Sequence, residues 1–428
     1  MKPICKLPRR PRADRWAGPW LATWLLLLAL PPGCSAQDPY VAFEQPVAYG
    51  FEQREHNVIF GAVHLDPVFE KLYRQKIGGQ QIVRILHIGD SHVQADHFPG
   101  VIREQLQLRF GNAGRGLVVP FRVAKTNEPY SYRTECVADW QSQRCSRPPH
   151  LLPVGIGGLT VRGASAGASL TVRTINHPQL NYAFEKLLVF FQQDRHSFDL
   201  AVLDSAGQEM ARVDALPEGD IPHYAVVHLE RPVHSVTLRA VSSRPGEQNH
   251  LTIFGLSAEN GRPGVLYHTV GINGARGEHF AQSEFFARQT AALEPDLIVL
   301  SLGTNEGQDP RLTPQAMSAQ TLKLVAALKR YNPGAVLLFT TPPNTYARRT
   351  RSNPAIAVAA EGLAQLARTE GAAYWDLNKV GGSAANWRSH SLLSDDGVHF
   401  TVAGYQLHGH LFCEAFFNAY NSYVSNRR

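Results

Sequence analysis

In the second half of the chain, short apolar runs alternate with longer stretches whose apolar positions recur at helical spacing. Residues 296–302 form one such run, and the pattern after it predicts a helix from about 314 to 331. A strand over 336–340 and a helix over 353–369 come next, then a strand over 372–377 and a long helix from about 401. Asn353 followed by Pro354 is a helix-start signal, a capping residue and then a proline where no amide donor is needed. Strands apolar on both faces, set between amphipathic helices, imply a parallel sheet covered on both sides. Nearer the N-terminus, 82–88 reads as another strand of this kind and 99–110 as its helix.

Between about 130 and 262 the texture changes. Val236, Leu238 and Ala240 alternate with Thr237 and Arg239, and Leu170 and Val172 with Thr171 and Arg173. Residues 204–207 read as a hairpin turn. This is the pattern of half-buried strands, with no long helix. The expectation is a three-layer α/β/α domain with a parallel sheet, interrupted by an inserted β-sandwich. The boundaries are 37–128 for its first part, 129–262 for the insert and 263–428 for its second part.

The composition is that of a globular protein, with 44% apolar and 18% charged residues in 428. The formal charge of +6 is concentrated at one end. Residues 1–36 hold six basic side chains (Lys2, Lys6, Arg9, Arg10, Arg12 and Arg15) against Asp14, so 36 basic face 35 acidic ones in the rest. Nucleic acid thereby loses its compositional support as a partner. That basic stretch precedes an apolar run from Trp20 to Leu30, then Pro31, Pro32 and Gly33, then small residues up to Ala36. The pattern is that of a signal peptide cleaved after Ala36. The run is shorter than the ~20 residues of a membrane span. Cys34 offers a lipid anchor as the alternative. Export permits disulfides, and Cys136 and Cys145 could close a small loop. Cys413, in an apolar helical pattern, reads as a buried small hydrophobe.

Reactive groups of an open α/β sheet gather at the carboxyl ends of its strands. The strand 82–88 runs into Gly89, Asp90, Ser91 and His92, which would expose Ser91 at a strand-to-helix turn. A serine hydroxyl needs a base to become a nucleophile. The strand 296–302 runs into Gly303, Thr304 and Asn305, whose side-chain amide could serve a developing oxyanion. Just before the last helix, Asp396 stands three residues ahead of His399, a spacing that lets one turn set the carboxylate on the imidazole. Taken singly, each also has a structural explanation: Ser91 as a helix cap, Asn305 as a turn residue, His399 as part of an acidic capping loop.

In order along the chain, these segments resemble the four blocks of the SGNH/GDSL hydrolases. Gly89-Asp90-Ser91 matches the first block, with His92 where leucine is usual. Gly271-Ile272-Asn273-Gly274-Ala275 resembles the second, Gly303-x-Asn305 the third with Glu306 where aspartate is usual, and Asp396-x-x-His399 the last. The resemblance covers roughly 80–125 and 265–410. It implies Ser91 as nucleophile, His399 as base, Asp396 as its orienting partner, and Gly274 and Asn305 as oxyanion donors, with no metal and no cofactor. Ser91 and Gly274 are 183 positions apart, and the excess coincides with the β-rich stretch. In this the chain is similar to the peptidoglycan O-acetylesterases, which carry a carbohydrate-binding-like module at that place. The implied function is an exported, periplasmic or envelope-associated esterase acting on an O-acetylated glycan. An acetyltransferase using the same residues and a glycan-binding protein with a degenerate enzyme domain are the rival readings.

Several other features compete for attention. Gly163-Ala164-Ser165-Ala166-Gly167 fits a nucleophile elbow, but that motif needs a following helix and the alternation from Leu170 predicts a strand. His87, His92, Asp96 and His97 invite a metal assignment, yet no spacing among them defines a tetrahedral site. His92 is expected to line the site beside Ser91. Arg348, Arg349 and Arg351 form either a solvated loop or a contact for an anionic glycan. Trp140, Tyr130 and Tyr132 are either sugar-stacking or packing aromatics.

Overall fold

The run at 82–89 is apolar at odd and even positions alike because both faces of its strand are covered. In the computed structural model, residues 38–216 and 223–427 are described. All lie in the second of two units, Met1–Ala36 and Gln37–Arg428. The expected signal segment and Cys34 lie outside the described residues. The central sheet has the order Ile59–Phe60, Ala373–Trp375, Val336–Thr340, Leu297–Ser301, Ile82–Gly89, Gly264–Gly271. The last five strands pair in parallel, and Ile59–Phe60 joins antiparallel at the edge.

Successive side chains of a strand point to opposite faces. Leu86, Ile88, Ile298 and Leu300 therefore share a core with Met317 and Leu324 of helix Pro314–Tyr331 and Leu363 of helix Ala355–Thr369. Val83, Ile85, Leu297 and Val299 share another with Leu72, Leu106 and Phe412. These last three belong to the helices Asp66–Gly78, His97–Phe110 and Val402–Asn426. Thr313 and Thr401 cap their helices by accepting from the amides of Ala316 and Gly404, contacts typically worth about 1 kcal/mol each. Asn353 does not cap, contrary to expectation. Pro354 holds the cap position, and Asn353 Nδ2 donates to the Gly307 carbonyl at 3.0 Å, tying the helix to the turn after Asn305.

The β-rich stretch forms two antiparallel sheets. One has the order Glu209–Val213, Asp199–Leu203, Ser235–Val241, Ser169–Thr174, Tyr132–Val137. The other runs Tyr224–Val233, Phe184–Phe191, Leu251–Glu259, Leu159–Gly163, Trp140–Arg144. The strand Gly114–Val118 pairs with Leu251–Glu259 and so belongs to this second sheet. It passes close to the central sheet: at Gly116 (φ +78°) a Cβ would stand 2.7 Å from the Tyr267 carbonyl oxygen. One apolar core extends from a face of the central sheet through Ile272, Phe280, Phe254 and Ile156 into the sandwich. A buried ion cluster adds a polar joint. Asp96 meets Arg103 at 2.6 Å and Arg115 at 3.1 Å, all three side chains fully enclosed. Breaking such a cluster from one side typically costs about 3–5 kcal/mol.

Cys136 is exposed, Cys145 is buried, and the two are not bridged. Cys413 is buried in the last helix. Among the described residues no helix is long and apolar enough to cross a membrane.

Candidate active site

Ser91 stands where the strand Ile82–Gly89 turns sharply into the one-turn helix Ser91–Gln94. Glycine is required at the turn, since a Cβ on Gly89 would lie 2.7 Å from the Ser301 carbonyl oxygen. Asp90 caps the helix by accepting from the His92 amide at 3.0 Å. Burial pushes the Asp90 carboxyl up to about 7, against the pull of that hydrogen bond.

His399, 308 positions further on, brings Nε2 to 2.9 Å from Ser91 Oγ. Its Nδ1 lies 2.6 Å from Asp396 Oδ2, while Asp396 Oδ1 accepts from the amides of Val398 and His399 at 2.8 and 2.9 Å. Burial would raise the Asp396 carboxyl. The imidazole and the two amides outweigh it and hold the carboxyl below its usual range. A carboxylate at Nδ1 keeps the ring proton there and leaves Nε2 to accept from the serine hydroxyl. The His399 and Asp396 side chains are 43% and 47% exposed, so the pair works at an open surface.

Gly274 (φ +76°) and Asn305 come from the two strands flanking that of Ser91. Asn305 Nδ2 donates to the Ala275 carbonyl at 2.9 Å, joining the two loops and leaving its second amide hydrogen for a ligand. Ser91, Gly274, Asn305 and His399 line a single open cleft of about 800 Å³, with Asn127 and Glu128 on its rim. The structure thus brings together the serine, the histidine and both expected oxyanion donors, with Asp396 behind the imidazole.

Two positioning residues escaped the sequence reading. Glu306, 2% exposed, accepts from the Gly277 amide at 3.0 Å and the Gly303 amide at 3.1 Å. It pins the loop after Gly274 to the loop before Asn305, and burial raises its carboxyl in spite of those amides. Its place beside Asn305 was the available signal, because a departure from the usual aspartate marks a position of interest. Gln94 accepts from the Asn273 amide at 2.7 Å and donates to Thr126 and the Asn127 carbonyl, both at 2.9 Å. Nothing in its sequence context marks it.

His92 does not line the cleft. It is buried behind Ser91, its Nδ1 3.0 Å from the Tyr405 hydroxyl and its ring 5.6 Å from that of His399. Burial lowers its pKa to about 3, so it stays neutral. His87 contacts the hydroxyls of Tyr267 and Ser301, and Asp96 is taken by its two arginines. Among the described residues no group of three or more His, Cys, Asp or Glu side chains could hold a metal ion. Ser165 lies in an exposed turn between two strands. Tyr132 is buried beneath Arg115, and Tyr130 stacks on His97 at 5.8 Å. Trp140 packs against the sandwich core.

Residues 245–407 match the GDSL-like lipase/acylhydrolase family, a segment that contains Gly274, Asn305, Asp396 and His399. Among solved structures, a peptidoglycan O-acetylesterase superposes with a TM-score of 0.69 at 23% identity, covering 83% of this chain and 96% of that one. A lipase/acylhydrolase from Enterococcus faecalis matches 36% of this chain and 77% of its own at 18% identity and a TM-score of 0.29. No curated protein matches the chain. The chain has the SGNH hydrolase fold with additional antiparallel sheets, and it resembles the peptidoglycan O-acetylesterase in structure. Family match and fold together support a carboxylic ester hydrolase.

Proposed function

We propose that this protein is an exported serine esterase that removes O-acetyl groups from a polysaccharide, peptidoglycan foremost, through an acetyl-serine intermediate. The observation that carries the reading is the unbroken hydrogen-bond chain from Ser91 Oγ through His399 to Asp396. His399 Nε2 takes the hydroxyl proton as Ser91 Oγ attacks the acetyl carbonyl. The oxyanion is received by the backbone amides of Ser91 and Gly274 and by Asn305 Nδ2. His399 then protonates the departing sugar oxygen. A water molecule, deprotonated by the same nitrogen, cleaves the acetyl-serine to acetate and restores Ser91. Asp396 stays ionised throughout and stabilises the imidazolium.

The open cleft suits a polymer better than a small enclosed ester. The choice of peptidoglycan rests on likeness to an O-acetylesterase of that polymer, spanning the central sheet and the β-sandwich alike. The N-terminal pattern of residues 1–36 fits a substrate outside the cytoplasm. The test is acetate release from purified O-acetylated cell wall, comparing the chain with Ser91→Ala. Loss of about 10⁴-fold or more is expected. Equal release by both would remove Ser91 from the mechanism.

A further inference from the structure

After the strand Val336–Thr340 the chain makes a small hairpin from Tyr346–Ala347 and Arg351–Ser352. It follows the carboxyl end of that strand, the end of the parallel sheet at which Ser91 and Asn305 also stand. Arg348, Arg349 and Arg351 are exposed on it, and Arg348 and Arg349 both take left-handed backbone angles, φ 48° and 71°. Successive non-glycine residues in that region persist only where their surroundings hold them.

The hold is the loop that carries Asp396 and His399. Tyr346 donates its amide to the Gly397 carbonyl at 2.7 Å, and Arg388 Nη2 donates to the Arg349 carbonyl at 2.7 Å. The Arg388 guanidinium lies 4.3 Å from the centre of the Tyr346 ring. A Cβ on Gly397 would stand 2.6 Å from the Arg349 oxygen. Backbone and Arg388 thus serve the packing, whereas Arg348, Arg349 and Arg351 have no carboxylate partner among the described residues. The hairpin that carries these three exposed arginines is bonded to the turn between Asp396 and His399, and its charge contrasts with a chain nearly neutral beyond residue 36.

We propose that this hairpin is an anion-binding rim of the cleft, taking carboxylates carried by an acidic glycan strand while one of its acetyl groups sits at Ser91. The proposal deepens the esterase reading and rests on it. A guanidinium presents two parallel donors that match a carboxylate. Single exposed pairs are weak and screened by salt, so the rim acts through several contacts along a polymer. A neutral acetylated glycan gains nothing from it.

The test uses Ser91→Ala protein, which leaves the acetylated polymer intact, and measures co-sedimentation with O-acetylated peptidoglycan before and after its carboxyl groups are amidated. At low salt, about ten-fold weaker binding to the amidated wall is expected, with the difference shrinking as salt rises. Reversing the charges (Arg348→Glu, Arg349→Glu, Arg351→Glu) abolishes the preference for the native wall, and the corresponding glutamine substitutions reduce it. Equal binding to the two walls at low salt would overturn the proposal, as would a preference that survives charge reversal. The amidation arm leaves the hairpin unaltered, so equal binding to the two walls overturns the proposal even if the triple variant fails to fold, and the glutamine variants then assign any preference to the hairpin. Acetate release from a small neutral acetyl ester by the chain with Ser91 is measured alongside. Failure there counts against the esterase reading and leaves the binding result standing.

Discussion

Replacing Glu306 by alanine would remove the acceptor shared by two loop amides, those of Gly277 and Gly303, in a place water does not reach. Each buried amide left without its acceptor costs about 1–3 kcal/mol, so the pair amounts to about 2–6 kcal/mol. A domain with about 5–15 kcal/mol of stability survives the lower half of that range. The catalytic cost is separable. The two amides lie in the loops that present Gly274 and Asn305, and a misplacement of ~1 Å at such a site can lower the rate about 10²-fold. The expectation is therefore a fall in kcat of about 10²-fold on a chromogenic acetate with KM little changed, because the oxyanion exists only after attack. Urea unfolding of the same preparation supplies the stability arm. Glu306→Gln, which keeps one acceptor and turns an amide group toward the other donor, should fall in between. A variant that lost several kcal/mol of stability but kept kcat within about two-fold would refute the argument, leaving Glu306 a packing residue.

Asp396→Asn preserves shape but favours the wrong imidazole tautomer, and kcat should fall about 10³–10⁴-fold with the fold intact by circular dichroism. An unchanged kcat would mean that His399 is oriented by its surroundings alone. Acid stability offers an independent check. His268 is fully buried and lowered to about 3 by desolvation, as are His87 and His92, and His408 lies well below its usual value. A depressed imidazole is neutral when folded, so its contribution is intact above the unfolded value of about 6.5 and is lost as pH falls toward the folded one. His268→Leu should therefore stabilise by about 2 kcal/mol more at pH 5 than at pH 8 in urea unfolding. Asp90, raised to about 7, works with the opposite sign and loses stability as pH rises toward that value. An identical effect of His268→Leu at both pH values would show that this ring titrates freely in the folded chain.

What the sequence made legible was periodicity and what it hid was tertiary contact. The helix expected at 314–331 is found as Pro314–Tyr331 and the strand at 336–340 as Val336–Thr340, because each is bounded by local chemistry, a capping threonine or a turn. Asn353 misled for the same reason. Its local context reads as a cap, while its side chain is taken by Gly307, 46 positions away. Ser91, Asn305 and His399 were legible because each follows a strand or precedes a helix in a recognisable order. Gln94 was not, and Glu306 was marked only by standing where aspartate is usual, since their partners lie in other loops and leave no mark on composition or spacing. His92 was misplaced for want of the depth coordinate: adjacent residues on a one-turn helix point in different directions, one to the cleft and one to the core.

The long separation between Ser91 and Gly274 has a simple geometric resolution. The strands before them are parallel neighbours in register, with Gly89 opposite Gly271, so Ser91 and Gly274 emerge from adjacent strand ends regardless of what joins them. The connection leaves after the helix His97–Phe110 and returns at Gly264, and its two ends meet where Asn112 bridges Val265. An insertion whose ends already touch adds little closure entropy, which grows only logarithmically with length. The sandwich therefore costs the active site nothing in placement. It is nevertheless no passive appendage. On the way into it, Asn127 is held by Gln94, whose other side holds Asn273 beside Gly274, and Asn127 and Glu128 stand on the cleft rim. The shared core and the Asp96 cluster fix that segment against the helix following Ser91. The inserted sheets are thereby mechanically continuous with the wall of the cleft that Asn127 and Glu128 form.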